Sequence, residues 1–354
     1  MGDLSGLALK KSIGRRYTEK DDLFFESDPF FNDFSKIIQS KSYRRLAYKT
    51  QVVSLPDNPH VRTRLVHTNE VIALSGGISN ALGLNTSLCL AIAAGHDLGH
   101  TPYGHIGEGV LSKLGGKPFR HSVNSVVIAQ HVERQENPKR HDKGLNLTYE
   151  TLRGMLLHAR GSGELKVSKD EPQEYAVVMF ADKIAYTISD LNDALRYGVL
   201  SSKEIPRFVT ELGFDQRERI ERVLKALVEE SKKKGRISFS EGEVFEKFTA
   251  LKNFMYKEVY PKLNQTMHEE VLKQIYEYML RHKEFEGLDP VFLMSLMTDK
   301  EANFFAENFL KSYDPPIESL RHFGIFEIIP HIKGKKIDYT DPDLDWKDKA
   351  VRNS

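Results

Sequence analysis

AIAAGHDLGHTPYGHIGE, Ala91–Glu108, is the stretch whose reading decides the fold. It opens by continuing the apolar run from Leu88, with short side chains that let a helix sit close against its neighbours. That helix runs into His96–Asp97, and His100, His105 and Glu108 follow within twelve residues. Imidazole and carboxylate together hold hard-to-borderline divalent ions, so a His–Asp pair opening such a cluster can nucleate a metal site. If the helix continues, His100 lies one turn beyond His96 and faces the same cavity. Histidines also gather at helix ends to satisfy free carbonyls, so the pair alone does not decide the matter.

Two flanking segments add to it. Upstream, His67, Val71, Leu74, Ile78 and Leu82 recur at helical spacing from Thr63 and stop at Gly83. His67 therefore falls on an apolar face, where a lone histidine is more often a hydrogen-bonded core residue than a ligand. Downstream, Asp182 interrupts VVMFADKIAY, Val177–Tyr186, which reads as a buried helix. An isolated ionised carboxylate there is costly and calls for a metal or a cation beside it. A second His–Asp dipeptide, His141–Asp142, lies in the charged stretch ENPKRHDKGLN and reads as solvated loop.

Helical periodicity governs the rest of the chain. Asn85 or Thr86 can cap the helix that carries Leu88–Ala94. Further helices are expected over Ser122–Arg134, Tyr149–His158, Tyr175–Arg196, Asp215–Ser231, Gly242–Val259, His268–Lys283 and Pro290–Lys311. Short strands are conceivable only near Thr50–Ser54 and Gly324–Ile329. Gln135–Leu147, Arg160–Glu171 and Lys232–Gly235 read as loops, the last as a seam, and the polar tail Asp338–Ser354 as peripheral. The reading is an all-α protein with a helical core over 1–200 and a further helical region over 201–354 packed on it.

Composition excludes several classes. Fifty-one basic against 50 acidic residues leave a net charge of +1, so no global field favours nucleic acid, membrane or an acidic partner. A hydrophobic share of 40% is that of a globular chain rather than a disordered one. One cysteine, Cys89, in an apolar run, excludes a disulfide framework and favours the cytoplasm. The first residues lack a secretory or myristoylation pattern, and no apolar run is long enough to span a membrane.

With these residues in place, the sequence resembles a known family. The order H…HD…D, carried by His67, His96–Asp97 and Asp182, is similar to the signature of HD-domain phosphohydrolases. KIIQSKSYRRLAYKTQVV, HVRTRLVHTNEV, GLNLTYETLRGMLLH, FADKIAYTISDLNDAL and LKNFMYKEVY resemble the deoxyguanosinetriphosphate triphosphohydrolase-like proteins, with MTDK at Met297–Lys300 a weaker match. HDLGHTP…GHIGE is the most specific match.

The resemblance implies an all-α HD-domain core in which His67, His96, Asp97 and Asp182 hold one divalent ion. Mn²⁺ or Mg²⁺ is favoured over Fe²⁺, Ni²⁺ or Zn²⁺. It further implies a catalytic pair, His105 and Glu108, beside the α-phosphate, with His100 and His121 lining the phosphate site. Arg64 and Lys183 would meet the phosphates, and Gln51, Tyr186 and Asp190 the deoxyribose. The implied reaction is hydrolysis of dGTP or several dNTPs to deoxynucleoside and tripolyphosphate. Also by resemblance, the partners are a dNTP substrate, further copies in a homo-oligomer, and an allosteric dNTP or single-stranded nucleic acid. Three positions depart from the family pattern: Lys183 replaces a second Asp, Ser189 a frequent His, and FRHSVNSVV is a loose form of an FEHN-type segment. A nucleotidase or phosphodiesterase using the same centre would not need the sugar and triphosphate equipment together. A non-catalytic nucleotide sensor or nucleic-acid binder could use Arg44, Arg45, Lys49, Arg62, Arg64, Lys333, Lys335 and Lys336 as a basic surface.

Overall fold

The computed structural model describes residues 2–18, 27–51, 58–134, 142–159, 170–262, 266–311 and 314–347. Among them the chain is helical, and its only β-pairing is two isolated bridges, Arg15 with Thr148 and Thr50 with Thr63. The first helices are α1 (Pro29–Gln39), α2 (Lys41–Arg45), α3 (Arg64–Leu82) and α4 (Thr86–Gly95). Next come α5 (Gly104–Gly115), α6 (His121–Val127), α7 (Tyr149–Leu157) and α8 (Gln173–Arg196). The remainder holds α9 (Arg207–Leu212), α10 (Gln216–Lys234), α11 (Glu243–Phe254), α12 (Thr266–Arg281), α13 (Pro290–Leu296), α14 (Asp299–Phe309), α15 (Ile317–Leu320) and α16 (Gly324–Ile332).

The periodic segments form as their sequences dictate. α3 stops at Gly83, whose φ of 71° is a left-handed conformation costly for other residues. Asn85 caps α4 by accepting the Leu88 N–H at 3.0 Å, and Asp215 does the same for α10 through Glu218. Cys89 is a free, fully buried thiol in α4.

Several expectations are corrected. Pro290–Lys311 is two helices, because Thr298 starts a new one: its hydroxyl accepts the Glu301 N–H while Glu301 accepts the Thr298 N–H. Gly324–Ile329 is helical, its apolar residues facing a helical cluster rather than a strand partner. Thr50 makes a single bridge, and residues 52–54 lie outside those described. Lys232–Lys234 extend α10, and only Gly235 leaves it. In the tail, Tyr339 is buried and the Trp346 indole N–H donates to Gln130 Oε1 at 3.2 Å. The tail is therefore packed rather than peripheral as far as Lys347. Residues 135–141 and 160–169 of the expected loops lie outside the described part.

Two large apolar clusters and one smaller one organise these helices. The first joins Leu4 and Phe30 to α3, α4 and α8 and continues through α10 and α11, on both sides of residue 200. The second joins α5 and α6 to α12–α16, and the third joins α1, α4, α6 and α7 with Trp346. Each fully buried Leu or Ile contributes roughly 1.5–3 kcal/mol, which makes α3, α4 and α8 a rigid frame. The polar centre is built where this frame meets α5, α6 and α7.

Candidate metal centre

α3 presents Arg64 and His67 one turn apart, both buried. α4 ends at Gly95, so His96 and Asp97 project from the turn that follows rather than from a continuing helix. That turn is held hard against α6. Gly99 N–H donates to Ser125 Oγ at 2.9 Å, Asn124 Nδ2 donates to Gly99 O at 2.9 Å, and Ser125 Oγ donates to His96 O at 2.8 Å. No side chain fits at position 99: a Cβ there would lie 2.2 Å from Ser125 N. α8 supplies Asp182, whose side chain keeps 17% of its surface exposed and so faces an opening rather than solid core.

These four residues converge. One donor atom each from His67, His96 and Asp97 lies within 4.8 Å of the others. Asp182 Oδ1 stands 3.0 Å from His67 Nε2 and 3.7 Å from His96 Nε2, and His96 Nε2 is 3.4 Å from Asp97 Oδ1. His96 Nδ1 lies 2.7 Å from Ala93 O, so it carries the hydrogen. His96 Nε2 is buried and finds no hydrogen-bond partner among the described residues. An unmet buried nitrogen costs about 1–3 kcal/mol, and a divalent ion among two imidazoles and two carboxylates would meet it. The donor set fits a metal.

Arg64 donates to Asp97 Oδ2 at 2.7 Å and to Thr50 O at 3.0 Å, which fixes the carboxylate. Burial pushes the Asp97 carboxyl up, but His96, Arg64 and His100 outweigh it and hold Asp97 well below the usual range. Burial works the same way on Asp182, and the His67 hydrogen bond, with His96 close by, prevails and lowers it. Both carboxylates are anionic near neutrality.

Beside this centre lies a second group, His100, His105, Glu108 and His121, again with donor atoms within 4.8 Å. Leaving the helix does not remove His100: its Nε2 is 3.5 Å from Asp97 Oδ1. His105 is the open member, with 77% of its side chain exposed and Nδ1 3.6 Å from Glu108 Oε2. Glu108 is bound more closely to His121, whose Nδ1 lies 2.5 Å from Oε1. Burial raises Glu108, but His121 and His105 together depress it strongly.

Further along α8, Lys183 Nζ lies 6.0 Å from the Tyr186 ring centroid, and the Tyr186 and Tyr256 hydroxyls are 3.4 Å apart. Asp190 Oδ2 accepts the Tyr260 hydroxyl at 2.9 Å, while Oδ1 finds no partner among the described residues. Burial pushes Asp190 up to about 7. Gln51 O accepts from Arg64 at 3.5 Å, and buried Gln51 Oε1 has no partner among the described residues. Asp142 is exposed and pairs with Lys335 at 3.7 Å, and His141 lies outside the described residues. The basic residues of segment 44–64 do not form a surface patch. Lys49 and Arg64 are buried, and Arg62 pairs with Glu70 and Asp193 at 2.8 Å each.

Three residues at the site escape sequence reading. His158, at the end of α7, is buried with its Nε2 3.3 Å from His121 Nε2. Its signal was available: GMLLH, like AIAAGH, is an apolar helix that closes on an imidazole. Tyr256 and Tyr260 approach α8 from a wide helical turn after α11, and their spacing carries no signal of its own.

Comparison with known proteins agrees with this geometry. The HD domain family matches residues 64–187, a span that includes His67, His96, Asp97 and Asp182. A deoxyguanosinetriphosphate triphosphohydrolase-like protein of Caldanaerobacter subterraneus subsp. tengcongensis is 39% identical over 272 residues, 76% of each chain. The chain belongs to this triphosphohydrolase-like family. A Clostridium tetani member of the triphosphohydrolase-like family is 37% identical over 72% of this chain and 73% of its own. One from Clostridium perfringens (strain 13 / Type A) is 39% identical over 76% and 78%. These alignments cover roughly three quarters of the chain, well beyond the HD domain, so the likeness to the triphosphohydrolase-like proteins is not confined to the metal-ligand motif.

Proposed function

We propose that the chain is a metal-dependent hydrolase that converts dGTP, or several dNTPs, to deoxynucleoside and inorganic tripolyphosphate. Family membership and the names of its relatives support a nucleotide hydrolase. The single observation that carries the metal-dependent part is the convergence of His67, His96, Asp97 and Asp182 around a buried, unmet His96 Nε2. Mn²⁺ or Mg²⁺ is the proposed ion, bound by those four residues.

When bound, a divalent ion neutralises phosphate charge and lowers the pKa of water enough to give a nucleophile near neutrality. The remaining work belongs to the side chains. Arg64 fixes Asp97, and Lys183, buried next to Asp182 on α8, brings a cation to the triphosphate. His105, open and next to Glu108, can hold the proton that the departing 5′-oxygen takes or assist the water. Tyr186 offers a flat wall to the sugar one turn beyond Asp182, and Asp190 and Gln51 each keep an oxygen for the 3′-hydroxyl. In this reading the chain works as a homo-oligomer.

Incubation with a dNTP panel and Mn²⁺ or Mg²⁺, followed by phosphorus NMR, tests the proposal. Deoxynucleoside with tripolyphosphate is expected. Monophosphate with pyrophosphate, or orthophosphate, would move the attack to another phosphorus.

A further inference from the structure

Asp299 opens α14 but does not cap it. Thr298 is the N-cap and Glu301 closes the capping box, so the helix has no need of the Asp299 carboxylate. That carboxylate is fully buried and accepts from segments 249 and 196 residues earlier in the chain. Its Oδ2 takes the Thr50 N–H at 3.1 Å together with the Thr50 hydroxyl. Its Oδ1 takes the Tyr103 N–H at 3.1 Å.

Both segments border the site. Thr50 O accepts Arg64 Nε at 3.0 Å, and Arg64 in turn fixes the Asp97 carboxylate. Tyr103 starts α5, the helix that carries His105 and Glu108. Its φ of 60° is left-handed, a conformation that a bulky residue adopts only when its surroundings hold it there. α14 grips this residue at both ends: Asp299 takes the backbone N–H, and Asn303, one turn on, takes the hydroxyl at 2.7 Å. Gly104, next in the chain, passes so close to Arg64 that a Cβ there would lie 3.1 Å from Nη2. The rest of the turn is fastened without Asp299. α6 holds Gly99, and the buried Lys49 ammonium donates to His100 O and, at 3.1 Å, to Ser295 O.

We infer that Asp299 is a positioning residue that sets the distance between the metal centre and His105. It grips the Arg64 side through Thr50 and the start of α5 through Tyr103. The inference rests on His105 serving the proposed hydrolysis, and it adds the residue that puts His105 in place. The competing role is a buried carboxylate that ties α14 to the core and affects stability alone.

Asp299→Asn keeps the size and shape of the side chain. Its amide oxygen keeps the side with two donors, Thr50, so its amide N–H turns on the Tyr103 N–H and pushes it away. The test is a double-mutant cycle with His105→Ala on the metal-loaded full chain, read as kcat for a dNTP. Alone, Asp299→Asn should lower kcat roughly 10²-fold with metal content unchanged, the effect of a misplacement of about 1 Å. In the His105→Ala chain it should lower kcat less than about threefold, because no positioned His105 remains to lose. Crystal structures should show the start of α5 about 1 Å further from Asp97, with His67, His96 and Asp182 in place. Equal losses in both backgrounds, an unchanged kcat, or an unmoved α5 would assign Asp299 to the fold alone and overturn the inference. If Asp299→Asn does not fold, Asn303→Ala, which frees only the Tyr103 hydroxyl, takes its place in the cycle. A smaller loss that vanishes with His105→Ala then supports the inference, and one that persists overturns it. If the substrate proves to be another nucleotide, the proposed function fails while the cycle on that nucleotide still decides this inference. If no nucleotide is hydrolysed, the proposed function fails and the position of α5 decides alone.

Discussion

Gly99→Ala places the smallest possible side chain where the HDLG turn touches α6. The added Cβ would stand 2.2 Å from Ser125 N, 2.5 Å from Asn124 C and 2.6 Å from His121 O, all backbone atoms that cannot rotate away. Ordinary contact begins near 3.4 Å, so α6 must retreat by about 1 Å. Overpacking of this kind costs roughly 1–3 kcal/mol. The retreat also strains three buried hydrogen bonds, from Gly99 N–H to Ser125, from Asn124 to Gly99 O and from Ser125 to His96 O. Each contributes about 1 kcal/mol. A loss of about 3 kcal/mol is expected, seen as a lower midpoint in urea with an unchanged slope. The same shift carries His121 away from Asp97 and His158, and a misplacement of about 1 Å can cost on the order of 10² in rate. Turnover should therefore fall well beyond what the lost stability explains at a temperature where the variant is folded. A variant with wild-type midpoint and wild-type kcat would show that the turn is not pinned by α6, and the geometry argued for His96 and Asp97 would fail with it.

Asp182→Ala removes one of two carboxylates from the first centre, so bound metal and turnover should fall together while the chain stays folded. Full metal content in that variant would remove Asp182 from the ligand set, and Asp142→Ala should change neither quantity. His105→Ala should lower kcat by roughly 10²–10⁴ with metal content intact; a raised KM with normal kcat would make His105 a binding residue. Wild-type chain should prefer dNTPs to the matching rNTPs by roughly 100-fold or more in kcat/KM, and Tyr186→Ala should erode that preference more than dNTP turnover. Equal hydrolysis of GTP and dGTP would refute the sugar assignment.

Much of this centre is legible in the sequence because its ligands sit on strongly periodic or strongly apolar helices. His67 follows from the register of Val71, Leu74 and Ile78, and Asp182 stands out against Val177–Phe180. What escaped has local reasons. α5 starts from Tyr103, a non-glycine residue at φ 60°, and runs through GHIGEGVLSKLG, whose glycines mask helical periodicity. GIFEIIPHI looks like a strand because β-branched and aromatic residues crowd a short apolar run, and only the facing helices make it α16. Met297 and Thr298 read as interior to one helix, since a capping box is invisible to apolar periodicity. His158 and Tyr260 act through partners 37 and 70 residues away in sequence, a relation that spacing along one helix cannot encode.

Hydrolysis of dGTP in ¹⁸O-enriched water tests the central claim most directly. Attack of water at the α-phosphorus breaks the bond to the 5′-oxygen and transfers the label to phosphorus. The account predicts ¹⁸O on one terminal phosphoryl of tripolyphosphate, seen as an isotope shift in its ³¹P signal, with unlabelled deoxyguanosine. Label in the 5′-hydroxyl of deoxyguanosine, or release of dGMP with pyrophosphate, would contradict it.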